Sequence, residues 1–262
     1  MRKYLHKIAI VSGKGGVGKT TTTINLALAL YHKGANVIVL DANITTPNLG
    51  LYLGVIKTPK TLNDVLRGTA HISETVYTHS SGINIITSDM AVDALKDINF
   101  NKIYQAINDL ENHADILLID TAATLGSETQ RIIEAVDEIV LVTNTDKGAL
   151  ADALKTIETA KKIKTIVMGV IINRVKGKLA KDKIEKFLNV PIIGVIKHDN
   201  NISKSTEQGK IYLKTYNSKN KNKYYDIATM ILGPSYRKKL KKEEKRSLFN
   251  YVLKQLGIFP KY

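Results

Sequence analysis

Eight consecutive residues carry the densest chemical signal in this chain: Gly13-Lys14-Gly15-Gly16-Val17-Gly18-Lys19-Thr20 has the spacing G-x-x-x-x-G-K-[ST]. Glycines let the backbone curl until successive N–H groups point at one anion, and a helix starting there adds the positive end of its dipole. Residues Gly13 to Thr21 are thus expected to cradle phosphates. Lys19 is expected to face the terminal phosphates, and the Thr20 hydroxyl to ligate Mg²⁺. Two carboxylates suit the same hard cation: Asp120 ends the apolar run Ile116-Leu-Leu-Ile119, and Asp41 ends Val37-Ile-Val-Leu40. Acids at the carboxyl ends of buried strands sit where open α/β sheets bind their ligands.

Such a loop works only between a strand and a helix, and the hydropathy pattern supplies both. Ile8–Val11 precedes the motif and Thr20–His32 follows it, closed by Gly34 where a C-terminal cap belongs. Further short apolar runs lie at Ile83–Ile86, Ile139–Val142, Ile166–Ile172 and Ile192–Ile196, with helical patterns at Leu150–Lys162, Leu179–Leu188 and Tyr224–Leu232. Continuously apolar strands alternating with helices specify an α/β fold: a doubly wound, mostly parallel sheet with helices on both faces. Gly233-Pro234 then breaks the pattern and the basic run Arg237–Arg246 follows. The expected division is a domain over 1–232 and a basic, amphipathic appendage over 233–262.

Composition removes whole classes of function. The 262 residues hold no cysteine, which excludes disulfides, thiolate zinc sites, cysteine-held iron–sulfur clusters and cysteine nucleophiles. The six histidines show no metal spacing, and no G-x-S-x-G elbow is present. The apolar run behind Met1-Arg-Lys-Tyr is too short for a signal peptide, and no stretch approaches the roughly 20 apolar residues of a membrane span. The expectation is a cytoplasmic protein, at most peripheral on the inner face of the cell membrane. A formal charge of +15 favours a polyanionic partner without choosing among nucleotide, nucleic acid and membrane.

Lys14 narrows the reading. A second lysine inside the loop marks the deviant P-loop ATPases, and the chain resembles the MinD/ParA family through Ser12–Thr21, Asp41-Ala-Asn-Ile-Thr-Thr-Pro-Asn-Leu-Gly-Leu51, Asp115–Asp120 and Thr143-Asn144. The resemblance implies ATP/ADP with Mg²⁺, an ATP-sandwich homodimer, and a Lys14 that reaches across it to the partner's nucleotide; the alternative is a solvated loop lysine. It also implies that Asn173-Arg174 touch the base, with a polar strand end as the alternative, and that Asp146 and Asp152 lie near the dimer interface. Asp199 is the one match to a Pro-Glu-Asp element common in relatives. Where relatives carry D-x-D, this sequence has Asp41-Ala42-Asn43. An amide orients water but takes no proton, so hydrolysis is expected to be slow. After Asp120, Thr121-Ala-Ala-Thr-Leu-Gly126 lacks the Pro that relatives usually place there.

With cysteine-dependent branches excluded, the positioning branches remain. MinD-like members bind membrane through a C-terminal amphipathic helix; ParA-like members bind DNA through lysines. Leu248, Phe249, Val252, Leu253 and Leu256 make one helical face beside the basic run, which suits an anionic bilayer, the protein's own core or a partner's groove. Lys210, Lys214, Lys219, Lys221 and Lys223 are a DNA-facing patch or a solvated loop. The leading expectation is a MinD-like, ATP-dependent dimerising switch answering to an unidentified activating protein. The alternatives are a ParA-like nucleotide-gated DNA-binding protein and a scaffold with vestigial hydrolysis.

Overall fold

The computed structural model of the chain describes residues 4–233. Eight strands build one sheet: β1 His6–Val11, β2 Val37–Asp41, β3 Tyr77–Thr78, β4 Asn84–Ile86, β5 Ile116–Asp120, β6 Glu138–Thr143, β7 Ile166–Val175 and β8 Ile192–Lys197. Their order is β3-β4-β2-β5-β1-β6-β7-β8, parallel throughout except for β3 against β4. The helices are α1 Lys19–His32, α2 Leu49–Tyr52, α3 Leu62–Arg67, α4 Ile103–Asn108, α5 Ser127–Ala135, α6 Lys147–Ile163, α7 Lys181–Leu188, α8 Asn200–Glu207 and α9 Tyr212–Thr215, and residues 219–233 are also helical.

The pleat divides each central strand between two cores. Ile8 and Ile10 of β1 pack with α1, α9 and the 219–233 helix, whereas Ala9 and Val11 pack with α4, α5 and α6. Both faces are covered, which is why β2 and β5 are buried at every residue. The doubly wound, mostly parallel fold is therefore as expected, and Gly34 closes α1 in the left-handed conformation at φ 88°. With β1 at the centre, its loop emerges between the ends of β5 and β6. That crevice at the carboxyl edge is the natural ligand site.

Three features depart from the expectations. The β7 strand continues to Val175, so Asn173 and Arg174 lie within it; the register against β8 slips between Ile172 and Val175, and Arg174 takes φ 55°. The antiparallel edge β3 has two residues, too few for any alternation to be legible. The polar α8 carries almost no apolar periodicity, with Ser205 its one buried residue. Among the described residues no helix is long and apolar enough to cross a membrane. The segment 234–262, with Leu248, Phe249, Val252, Leu253 and Leu256, lies outside the described residues.

Candidate functional site

The loop after β1 has the shape its glycines allow. Gly16 and Gly18 take φ 75° and 91°, values that L side chains rarely adopt. Gly13 is required for closeness instead: a Cβ there would lie 2.6 Å from Asp152 Cβ, so the loop rests directly on α6. Gly18 occupies the N-cap of α1, and its carbonyl accepts from Thr22 N at 2.9 Å. At the root of the loop, the hydroxyl of Ser12 is buried without a hydrogen-bond partner.

Lys19 turns inward rather than to solvent. Its Nζ donates to Asp120 Oδ1 at 3.1 Å and to the carbonyl of Thr121. Thr20 Oγ1 donates to Asp120 Oδ2 at 2.5 Å, so consecutive residues of α1 hold the two oxygens of one carboxylate. Asp41 is the register partner of Asp120 on the neighbouring strand, and both are 1% exposed. Burial, followed by the adjacent Asp120 charge, pushes the Asp41 carboxyl up to about 7. Two buried acids, one lysine and one hydroxyl thus converge at the sheet edge.

Asp41 also holds the loop that follows it. Its Oδ1 accepts from Asn43 N at 3.1 Å and its Oδ2 from Leu49 N at 3.0 Å, closing 41–49 into a loop tied at both ends to one carboxylate. Ser88 Oγ donates to the Asp41 carbonyl at 2.8 Å. The Asn43 amide is engaged with Thr46: Nδ2 donates to Thr46 O at 2.6 Å, and Oδ1 accepts from Thr46 N at 3.3 Å.

Lys14 stands on the outside of the loop. Its Nζ bonds Asp146 Oδ2 at 2.7 Å with both side chains about half exposed, and Asp146 also caps α6 by accepting from Gly148 N. Their mutual hydrogen bond and charge raise the lysine's pKa and hold the carboxyl below its ordinary value. Asp146 and Asp152 therefore both border the loop, one through Lys14 and one through Gly13.

From Gly18 and Thr21 a cavity of about 430 Å³ runs beneath Asn173 and Arg174 to His198, Asp199 and α8. Asn173 Nδ2 donates to Val17 O at 2.8 Å, a bond that pins the loop and uses one of the two amide hydrogens. Asp199 caps α8 through Asn201 N and accepts from Tyr212 Oη at 2.7 Å; burial raises its pKa, but these hydrogen bonds prevail and lower it. Leu51, Tyr52, Ile202 and Thr206 also line this cavity. Sequence reasoning gave none of them a binding role, because α2 is a single turn and α8 is polar.

This arrangement fits a nucleoside triphosphate with Mg²⁺. The left-handed glycines shape a phosphate cradle, and the cavity opening from it gives a nucleoside room. Thr20, Asp120 and Asp41 offer hard oxygens, and among the described residues no cluster of three His, Cys, Asp or Glu forms a complete metal cage. A Mg²⁺ ion held by Thr20, Asp120 and Asp41 would supply charge neutralisation at the phosphates.

Fold and site define a P-loop nucleoside-triphosphate-binding protein. The ParA family, described as NUBPL iron-transfer P-loop NTPase, matches residues 3–232. An uncharacterised ATP-binding protein of Methanocaldococcus jannaschii is 35% identical over 249 residues, covering 94% of each chain. The flagellum site-determining protein YlxH of Helicobacter pylori is 32% identical over 267 residues, covering 95% of this chain and 90% of that one. Among solved structures, the septum site-determining protein MinD of Pyrococcus horikoshii, complexed with Mg-ADP, superposes with a TM-score of 0.82 at 30% identity, covering 87% of this chain and 96% of that one. The chain belongs to the MinD/ParA family of P-loop ATPases.

Proposed function

We propose that the protein is an ATP-dependent dimerising switch of the MinD-like, site-determining kind. The observation that carries the reading is the placement of two lysines on one loop: Lys19 buried on Asp120, and Lys14 exposed on the outer rim and bonded to Asp146. A buried lysine serves the molecule's own phosphates. An exposed one on the same loop is placed to reach a second molecule, where it supplies a cation to charge developing on a transferring phosphoryl group. The site-determining names of YlxH and MinD support the same reading.

The roles follow from the contacts. Gly13 to Thr21 bind the phosphates, Thr20, Asp41 and Asp120 hold Mg²⁺, and Asn173 and Arg174 border the nucleoside. Lys14, Lys19, Asn43 and Asp120 carry hydrolysis, which is slow because Asn43 has no carboxylate to accept a proton and is engaged with Thr46. Output passes through the appendage beyond the 1–232 domain. The stripe Leu248, Phe249, Val252, Leu253 and Leu256 beside Arg237–Arg246 suits an anionic membrane surface. One copy binds weakly; a dimer presents two, and the second insertion becomes intramolecular. An activating protein resets the switch.

A second reading, ParA-like binding of DNA, is favoured by the charge distribution. Residues 147–233 carry 18 Lys and Arg against 7 Asp and Glu, while residues 1–146 carry 12 against 15. Lys197, Lys204 and Lys219 share one shallow cavity beside α8. Co-sedimentation with anionic vesicles and, separately, with non-specific DNA, each with and without ATP, tests both. Vesicle binding that requires ATP and is lost in Leu253→Glu supports the membrane switch. ATP-dependent DNA binding without vesicle binding replaces it with the ParA-like reading, and dimerisation without either surface leaves neither.

A further inference from the structure

The cavity beside the phosphate loop is closed on one side by an element with a second duty. Leu51 and Tyr52 of α2 line it together with Ile202 and Thr206 of α8. Two residues earlier in the same turn, Leu49 N is held by the carboxylate of Asp41. At its far end α2 runs into Gly54, whose backbone packs on Gly209 after α8. A Cβ on Gly209 would lie 2.8 Å from Gly54 Cα, and one on Gly54 would lie 3.1 Å from Gly209 O. Leu51 is 51% exposed although Leu49 is fully buried, so a large apolar side chain stands uncovered at the mouth of the cavity.

We infer that the nucleobase is recognised by α2 itself, with Leu51 and Tyr52 as specificity-determining residues, and that the Gly54–Gly209 seam sets the width of the slot between α2 and α8. This rests on the ATP reading above and deepens it. A purine ring is a flat apolar plate, and the slot offers it an aromatic and an aliphatic side chain on one wall and Ile202 on the other. Because α2 is one turn long and bonded to Asp41, a base seated against it restrains the loop that carries Asn43. Binding energy from the non-reacting end of the substrate is then used to position groups at the reacting end, which raises turnover and not affinity alone.

The test compares Mg-ATP with Mg-tripolyphosphate, which has the phosphates and no base, using the full chain. Binding is measured by calorimetry and turnover by phosphate release. In the wild type, ATP binds more tightly and turns over faster than tripolyphosphate. Tyr52→Ala lowers the ATP-to-tripolyphosphate affinity ratio about tenfold, the order of one lost base-stacking contact, and also lowers the corresponding kcat ratio. Tyr52→Phe keeps the ring and restores both. Gly209→Ala, outside the cavity lining but at φ 61° and with its added methyl 2.8 Å from Gly54 Cα, strains the turn and pushes α2 away from α8, and lowers the same ratios. The inference is overturned if Tyr52→Ala and Gly209→Ala leave the ratios at the wild-type value, or if ATP and tripolyphosphate fall together. A wild type that binds both probes equally defeats this inference alone. One that binds neither defeats the ATP reading and this inference with it.

Discussion

Replacing Lys19 by Met removes one charge while nearly keeping the side-chain volume. Lys19 is buried against Asp120, and its loss leaves Asp120 with the hydroxyls of Thr20 and, at 3.5 Å, Thr23 as its remaining side-chain donors and Asp41 alongside. Taking one partner from a buried pair costs about 3–5 kcal/mol, chiefly because the remaining charge stays out of water. At roughly 2–4 °C per kcal/mol for a domain of this size, Tm should fall by about 6–20 °C near pH 8. The fall should shrink in acid. Asp41 is already pushed up to about 7 by burial and by Asp120, with the Lys19 charge opposing, and with the lysine gone Asp41 holds its proton more firmly. A carboxyl whose folded pKa is raised stabilises the fold at low pH and loses that contribution as pH rises. Thermal unfolding at about pH 5.5 and about pH 8, without Mg²⁺ or nucleotide, reads this directly. Adding Asp120→Asn should recover stability relative to Lys19→Met alone, since the stranded anion is removed and Thr20 can still donate to the amide oxygen. Calorimetry should show Mg-ATP binding lost in Lys19→Met. Retained ATP affinity, a pH-independent Tm loss, or a double variant as unstable as the sum of the singles would each refute the reasoning.

Three further outcomes follow from the same contacts. Lys14→Ala should leave Tm almost unchanged, because its partner Asp146 is exposed and such pairs contribute little; nucleotide binding should persist while ATP turnover is lost, and unchanged turnover would remove the cross-dimer role. Asn43→Asp should raise single-turnover hydrolysis, by up to the roughly 10²–10⁴-fold typical of a general base, because a carboxylate accepts a proton and no longer donates to Thr46 O; equal rates would take the water-positioning role from residue 43. The Asp41 carboxyl, with its folded value raised from 3.8 to about 7, gives a contribution to stability that is full below the unfolded value and lost progressively until pH passes 7, so the wild-type Tm should fall between those two values and fall less with Mg-ATP, whose cation offsets the buried negative charge; identical slopes in unfolding scans would contradict this.

How much of this was legible before the structure depends on how far each signal travels along the chain. The phosphate loop was fully legible, because its glycines, lysine and threonine are contiguous and their geometry is local. Asp41 and Asp120 were legible as strand-end acids, but their adjacency depended on β2 pairing with β5, a contact across 79 residues that no local pattern encodes. The engagement of Lys14 with Asp146 spans 132 residues and was equally invisible as a contact, although both residues had been singled out separately. The base-side cavity was least legible. Its walls come from short polar elements with no periodicity, and Asn173 was expected to lie past its strand when it is within β7 and bonded to the phosphate loop.

Asp41 deserves its place at the centre of any switch built on this site for a reason of simple valence. An ionised carboxylate has about four acceptor positions. Two are taken by Asn43 N and Leu49 N, which close the 41–49 loop, and its own backbone carbonyl is held by Ser88. Its register partner Asp120 is a neighbour of like charge, and burial together with this repulsion lifts the Asp41 pKa. Charge balance at the sheet edge therefore acts on the same oxygens that hold the loop. Amide donors bond a carboxylate more strongly than a neutral acid, so the bonds from Asn43 and Leu49 favour the ionised form against burial and the Asp120 charge. Positive charge supplied at the phosphate site should therefore favour the ionised carboxylate that accepts from both ends of the loop.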